Sequence, residues 1–409
     1  MNNTHPSHLW KFQTALSICF LLIVLAADLK VFACSWDYLI WTIRNKDADP
    51  LYRFVRGERA GYIDRTGKIV IEPLLSFYGN GGGEFHEGLL NQDLNGKFID
   101  TTGKVVVVHS LQRVWDFSEG LAAAMPEGEE KWGYIDRNGR WVIPPQFATY
   151  PQGHISSFAD GLAYIKVKNK YGYIDRSGKF VIEPSFLYGE SFSEGYAPVI
   201  VEGPCARITS DGPCGDIVVI PDQRLPIDKV EKCKWTFINK AGRIISEDRF
   251  DEAENFSEGL AAVRKDEKWG FIDTSGKLKI PCQFEKASAF SDGLACVKQE
   301  DLYGYIDKDG QIVIPPRFDF AESFSEGLAV VASPEDDTSA PSGPYYINKS
   351  GKQAFAGAFA VASPFFKGLA HVKIKGTDPS QDRDIFRWAE FAYIDVTGKK
   401  VFTYAAGRQ

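Results

Sequence analysis

What the chain lacks narrows it quickly. Its 409 residues include two methionines, six histidines and no long basic run, and the formal charge is −7. A surface built for nucleic acid or an anionic membrane needs a basic field, so neither is expected as the main partner. After residue 33 the histidines are His86, His109, His154 and His371, scattered without metal-ligand spacing. No G-x-S-x-G, P-loop or H-E-x-x-H occurs. Asp307-x-Asp309-Gly310 opens like a calcium loop, but the downstream ligands are absent. The sequence therefore predicts no cofactor, no metal and no enzyme.

Long apolar runs are also scarce. Ala15 to Ala27 has the length of a signal-peptide core rather than a membrane span, and Lys11 precedes it. Val31-Phe32-Ala33 places small residues at −3 and −1 for cleavage before Cys34, so residues 1–33 read as a signal peptide. The same stretch is similar to a lipobox, which makes Cys34 a candidate lipidation site, although Phe32 fits that pattern poorly. The expectation is an exported protein, periplasmic, secreted or lipid-anchored at the cell envelope, touching a membrane only through such an anchor. Export makes the other cysteines candidate disulfides: Cys205 with Cys214 across a Gly/Pro-rich segment, and Cys282 with Cys296 on neighbouring strands. Cys233 is left for Cys34 or stays free, and small buried thiols without bridges are the alternative.

What the chain has is a repeat. An aromatic, an isoleucine and an Asp or Asn, then a glycine three positions on, recur nine times, from GYIDRTGK at 61–68 to AYIDVTGK at 392–399. The isoleucines, 63, 99, 135, 174, 238, 272, 306, 347 and 394, are mostly 34 to 41 residues apart. A fixed period means small units that bury their apolar faces against their neighbours. The longest step marks an insertion at 198–233, between repeats 1–4 in 50–197 and repeats 5–9 in 234–409, with 34–49 as a lead-in.

The recurring acids, Asp64, Asp100, Asp136, Asp175, Asp273, Asp307 and Asp395, with Asn239 and Asn348, read as turn-formers. Their side chains can accept the backbone N–H two residues on, while the glycine supplies positive φ. Asn in two copies keeps that bond and would abolish acid–base chemistry. A second motif, FSEGLA at 117–122, 256–261 and 324–329 with variants elsewhere, reads as another turn stapled by its Phe and Leu. Leu162–Val167, Tyr171–Asp175 and Phe180–Glu183 read as three strands of one unit. Phe318, Ala321 and Phe324, every third residue, predict one helical or 3₁₀ turn per unit.

At KWGYIDRNGRWVIPPQF (131–147) and KWGFIDTSGKLKIPCQF (268–284), each with an FSEGLA-type turn nearby, the chain resembles the WG-repeat (KWG) proteins of bacteria. The likeness runs over about 50–400. The glycine is lost at Lys97, Thr236, Tyr345 and Ala392. The resemblance implies a binding or scaffolding repeat without catalytic residues. The expected fold is all-β: tandem three-stranded antiparallel meanders in an open β-solenoid or superhelical array. A closed β-propeller-like ring is the alternative, set second because its blades usually have four strands.

Trp132, Tyr171, Trp269 and Tyr303 hold equivalent positions and are candidate ligand-binding residues for a glycan or protein; packing over the strand glycine is their competing role. The insertion is the other place for private specificity. The expected function is a non-catalytic scaffold binding a protein or glycan, with a structural spacer or assembly factor next and an envelope-polymer hydrolase last.

Overall fold

The computed structural model describes residues 50–76, 83–92, 96–107, 110–148, 155–168, 170–202, 207–209, 218–220, 234–335, 337–375 and 389–406. The segment expected to be a signal peptide, the expected lead-in, Cys34, Cys205, Cys214 and Cys233 lie outside the described residues. The chain divides into two units, one of 1–46 and 205–230, the other of 47–204 and 231–409. In the first, the described part is an antiparallel hairpin, Arg207–Thr209 with Val218–Ile220. In the second, the strand Tyr196–Glu202 belongs to a repeat sheet, so the non-repeated segment begins after Glu202 rather than at 198.

The second unit is all-β, with nine antiparallel sheets among its described residues, one per motif isoleucine and numbered here in chain order. Sheet 7 shows the full unit: Lys286–Ala287, Ala295–Gln299, Leu302–Ile306 and Ile312–Phe318, hydrogen-bonded in that order. The segment expected to be a helical turn is instead the short edge strand, for example Phe320–Ala321 in sheet 8. The three-residue apolar spacing arises from two strand residues, Phe318 at the end of sheet 7 and Ala321 in sheet 8, and the Phe324 anchor beyond them. The complete unit thus has four strands, as sheets 3, 6, 7 and 9 show.

Each D-x-x-G turn is built the same way. The Asp or Asn Oδ1 accepts the N–H two residues on at 2.8–3.0 Å in all nine copies. It also accepts the N–H four residues on. The turn glycines have φ between 74° and 85°, a region that costs any other side chain energy.

Adjacent sheets are held by aromatic pairs. The motif aromatic of one sheet packs against the turn aromatic of the next: Tyr62–Phe85, Phe98–Phe117, Tyr134–Phe158, Tyr173–Phe192, Phe237–Phe256, Phe271–Phe290, Tyr305–Phe324 and Tyr346–Phe365. Centroids lie 4.7–5.2 Å apart, mostly edge-on, each worth about 0.5–1.5 kcal/mol beyond the area it buries. Where the motif aromatic is Tyr, its hydroxyl donates to a backbone carbonyl two residues before the turn aromatic. Tyr305 to Glu322 and Tyr134 to Ser156, both 2.7 Å, are examples.

The ninth interface joins the ends of the array. Tyr393 of sheet 9 packs on Tyr52 of sheet 1 and donates to Arg53 O at 2.5 Å. Tyr52 donates to Phe366 O and Lys367 O, and Phe54 meets Phe402 at 5.0 Å. The tandem meanders are those expected, and their ends meet as in the closed ring set second above. The fourth strand, invisible in the apolar pattern, removes the objection to that arrangement.

Candidate functional site

The repeat aromatics do not form an exposed platform. Trp132 and Tyr171 are 4% and 2% exposed, so neither offers a ring face to a ligand, a correction to their expected role. Trp269 and Tyr303 are half-buried and packed on the cores of their own sheets. In sheet 7, Tyr303 pairs with Phe318 and Tyr305 with Ile314, so the bulge Pro315–Arg317 faces Gly304 alone. A Cβ on Gly304 would lie 2.6 Å from Ile314 O and 2.7 Å from Pro316 N. Gly133, Gly172 and Gly270 face the same crowding. In sheet 9, where the bulge is absent, Ala392 takes the glycine's place and pairs directly with Thr403. The Trp-Gly signature is therefore a packing device in which the aromatic covers the bulged strand and the glycine makes room for it.

The Cys282–Cys296 pairing is also corrected. Cys282 lies on the last strand of sheet 6 and Cys296 on the second strand of sheet 7, and both thiols are free. Burial raises the pKa of both, far more for Cys296.

The acids of the second motif are linked in series. Glu87, Glu119, Asp160, Glu194, Glu258, Asp292 and Glu326 all have φ near +54°, which turns each carboxylate toward the following sheet. Each accepts the glycine N–H of the next turn, at Gly120, Gly161, Gly195, Gly259, Gly293, Gly327 and Gly368, over 2.6–3.0 Å. Cations just after the D-x-x-G aspartates reinforce them, as in Arg137–Glu87 at 3.0 Å and Lys308–Glu258 at 3.1 Å. Serines beside these acids donate to the Phe carbonyl of the next turn, as Ser257 does to Phe290 at 2.7 Å. These carboxylates are committed acceptors and are unsuited to acid–base chemistry.

The side chains that differ from sheet to sheet lie two residues before each turn aromatic. Ser156, Ser288 and Ser363 there accept the N–H of Tyr164, Cys296 and His371. Glu190 accepts the Tyr188 hydroxyl at 3.0 Å. Glu254 and Glu322 differ: each residue is half-buried, yet its Oε2 is shut off from solvent and has no hydrogen-bond partner, as does Oδ1 of the adjacent Asn255. Burial pushes the Glu254 carboxyl up to about 8, with Glu252 adding repulsion, and Glu322 up to about 7.

A second polar group spans sheets 9, 1, 2 and 3. His86 Nε2 lies 3.4 Å from Asp116 Oδ2. Burial raises Asp116, with His86 opposing, and raises Glu84 against the Arg53 charge. His371 donates to or accepts from the Tyr404 hydroxyl at 2.8 Å, and burial, with Arg53 nearby, holds it down to about 4. Among the described residues no three His, Cys, Asp or Glu side chains converge as a metal site. These non-repeated positions escaped the sequence reading because the repeat motif masks them; a signal lies in the Glu/Ser/Trp variation two places before each turn Phe.

Eight stretches, 61–90, 98–128, 132–171, 171–203, 235–269, 269–303, 303–332 and 346–377, match the WG containing repeat. The chain belongs to that family. The ninth copy, at 392–399, packs its aromatic against Tyr52. No curated protein matches the chain. A crystal structure of a eukaryotic initiation factor is similar over 87% of this chain and 96% of its own, with 10% identity and a TM-score of 0.55, a likeness of fold alone. Weaker likenesses are to streptogramin B lyase, 12% identical over 71% and 93% of the chains at TM-score 0.29, and to apo AztD from Citrobacter koseri. The AztD match is 12% identical over 88% and 95% of the chains, at TM-score 0.32. The solved structures it resembles are propeller-like, and this WG-repeat protein shares that all-β architecture.

Proposed function

We infer that this WG-repeat protein is a non-catalytic scaffold at the cell envelope that holds a protein or glycan ligand. The observation that carries this is the series of seven turn carboxylates, each bonded to the glycine amide of the next turn. The recurring acids serve the architecture, which leaves recognition to the side chains that vary between sheets. The N-terminal signal supports export, with lipidation at Cys34 as the variant that would tether the chain to a membrane.

The test is a glycan and peptide array probed with the full mature chain, alongside turnover assays on envelope polymers. Binding without product release is expected. Release of product with no retained ligand would replace the scaffold with a hydrolase. Intact mass from membrane and soluble fractions of the native host tests the address. A mature N-terminus at Cys34 is expected, with acyl mass if tethered; a chain retaining residues 1–33 would overturn export.

A further inference from the structure

Among the described residues one aromatic side chain is exposed, Trp115 at 44%; the other exposed large apolar side chains are Val, Leu and Ile. Trp115 directly follows the edge strand Leu111–Val114 of sheet 3. It stands two residues before the turn Phe, where sheets 4 to 9 carry Ser or Glu. Its N–H donates to Ala123 O, and its ring lies within 2° of parallel to Trp132, with centroids 5.8 Å apart. A buried ring thus fixes the indole from behind while its other side meets water. Covering Trp132 does not require an indole: in sheet 4 the equivalent Tyr171 is just as buried with Ser156 at the equivalent position.

Trp132 belongs to the core shared with sheet 4, so Trp115 lies toward that side. The next residue, Asp116, turns toward sheet 2, where its Oδ2 is 3.4 Å from His86 Nε2. Its side chain is 46% exposed and Glu84 is exposed as well, yet burial raises both carboxyl pKa values, and Glu84 feels the Asp116 charge. Groups open to water while protein crowds around them line a hollow rather than a convex surface. A flat indole with carboxylates and an imidazole beside it is the chemistry that holds a sugar. The C–H face of the ring stacks on the indole, and the hydroxyls donate to the carboxylates. One exposed ring does not make a cage for an ammonium group, and the two acids disfavour an acidic sugar. Because the indole and the carboxylates face opposite sides of the strand end, the ligand needs at least two linked sugars. We propose that Trp115, with Asp116, His86 and Glu84, seats an uncharged oligosaccharide, one ring stacked on the indole and its neighbour bonded to the carboxylates. This rests on the scaffold reading above and commits its ligand to a glycan.

The probes are the hexamers of β-1,4-linked glucose and of β-1,4-linked N-acetylglucosamine, titrated calorimetrically into the full mature chain while tryptophan emission is followed. At least one hexamer is expected to bind and to shift the emission to the blue. Trp115→Ala should weaken it at least about fivefold and remove the shift, and Trp115→Phe should restore part of the affinity. Asp116→Asn should weaken it at least about threefold. Ile312→Ala, which removes a comparably exposed apolar side chain from sheet 7, should leave binding unchanged. The corresponding monosaccharides should bind at least about tenfold more weakly, and a galacturonate hexamer should not bind. These last two arms need no variant. Full binding by Trp115→Ala or Asp116→Asn, equal binding of the galacturonate hexamer, or binding of neither neutral hexamer would each overturn the proposal. If the arrays retain a peptide while both hexamers fail, the sugar seat falls and the scaffold stands. If nothing is retained, both fall.

Discussion

Tyr393 packs its ring on Tyr52 at a centroid distance of 5.4 Å, so the last sheet reads the first as if it were the next repeat. Among the described residues no turn Phe precedes Tyr52, yet it occupies the aromatic seat and anchors itself by donating to Lys367 O at 2.7 Å. Removing the hydroxyl with Tyr52→Phe should cost about 1 kcal/mol, and Tyr52→Ala about 3–5 kcal/mol. Urea unfolding of both checks this. Equal small losses would mean that the junction between first and last sheets contributes little.

Gly304 and Ala392 occupy the same repeat position under different neighbours. Gly304→Ala drives a Cβ into Ile314 O and should destabilise by about 2 kcal/mol or more. Ala392→Gly meets no such constraint and should cost only about 0.5–1 kcal/mol through chain entropy. Thermal melts of the two, side by side, test whether the bulge explains the motif.

Stability should have a slope on each side of its optimum. Asp64, Asp100, Asp175, Asp273 and Asp395 are held below the usual carboxylate range, first by the hydroxyl bond of the turn Ser or Thr. Their contribution is present above the unfolded-state pKa, near 3.9, and is lost as pH falls through the lower folded values. Glu254 and Glu322 act oppositely. Their folded pKa values lie above the unfolded one, so the protein loses stability as pH rises from about 4.3 toward their raised values. Melting temperature against pH should flatten on its alkaline side in Glu254→Gln with Glu322→Gln. An unchanged slope would assign it elsewhere.

Cys296 is 4% exposed with its thiol pKa pushed up, and Cys282 is half-buried. A thiolate-selective reagent at pH 8 should modify Cys296 only at the global unfolding rate, and Cys282 sooner. Rapid native labelling of Cys296 would mean that the junction of sheets 7 and 8 opens locally.

Much of this architecture was legible in the chain. The nine D-x-x-G turns follow from one residue pattern, because an Asp or Asn bond and a positive-φ glycine are local requirements. The Trp-Gly pair was legible as a motif but ambiguous in role. Only the register places Pro315–Arg317 over Gly304, and register is a property of two strands. The edge strand was misread because two residues, such as Phe320–Ala321, are too few to show alternation. The cysteine pairing failed because residues 282 and 296, though close in sequence, belong to different sheets. At Glu254 and Glu322 the sequence shows variation between repeats but not its meaning, since an unpaired oxygen is visible only once the surrounding donors are placed.

Lys367 stands where the other seven described second-motif turns carry an acid, and it is the last of them in the chain. The described series of carboxylate-to-amide bonds is directional, running from Glu87 toward Gly368. The number of units is consequently fixed by the circuit: a copy gained or lost cannot be absorbed at one joint, because every seat around the loop would have to shift to let Tyr393 find Tyr52 again.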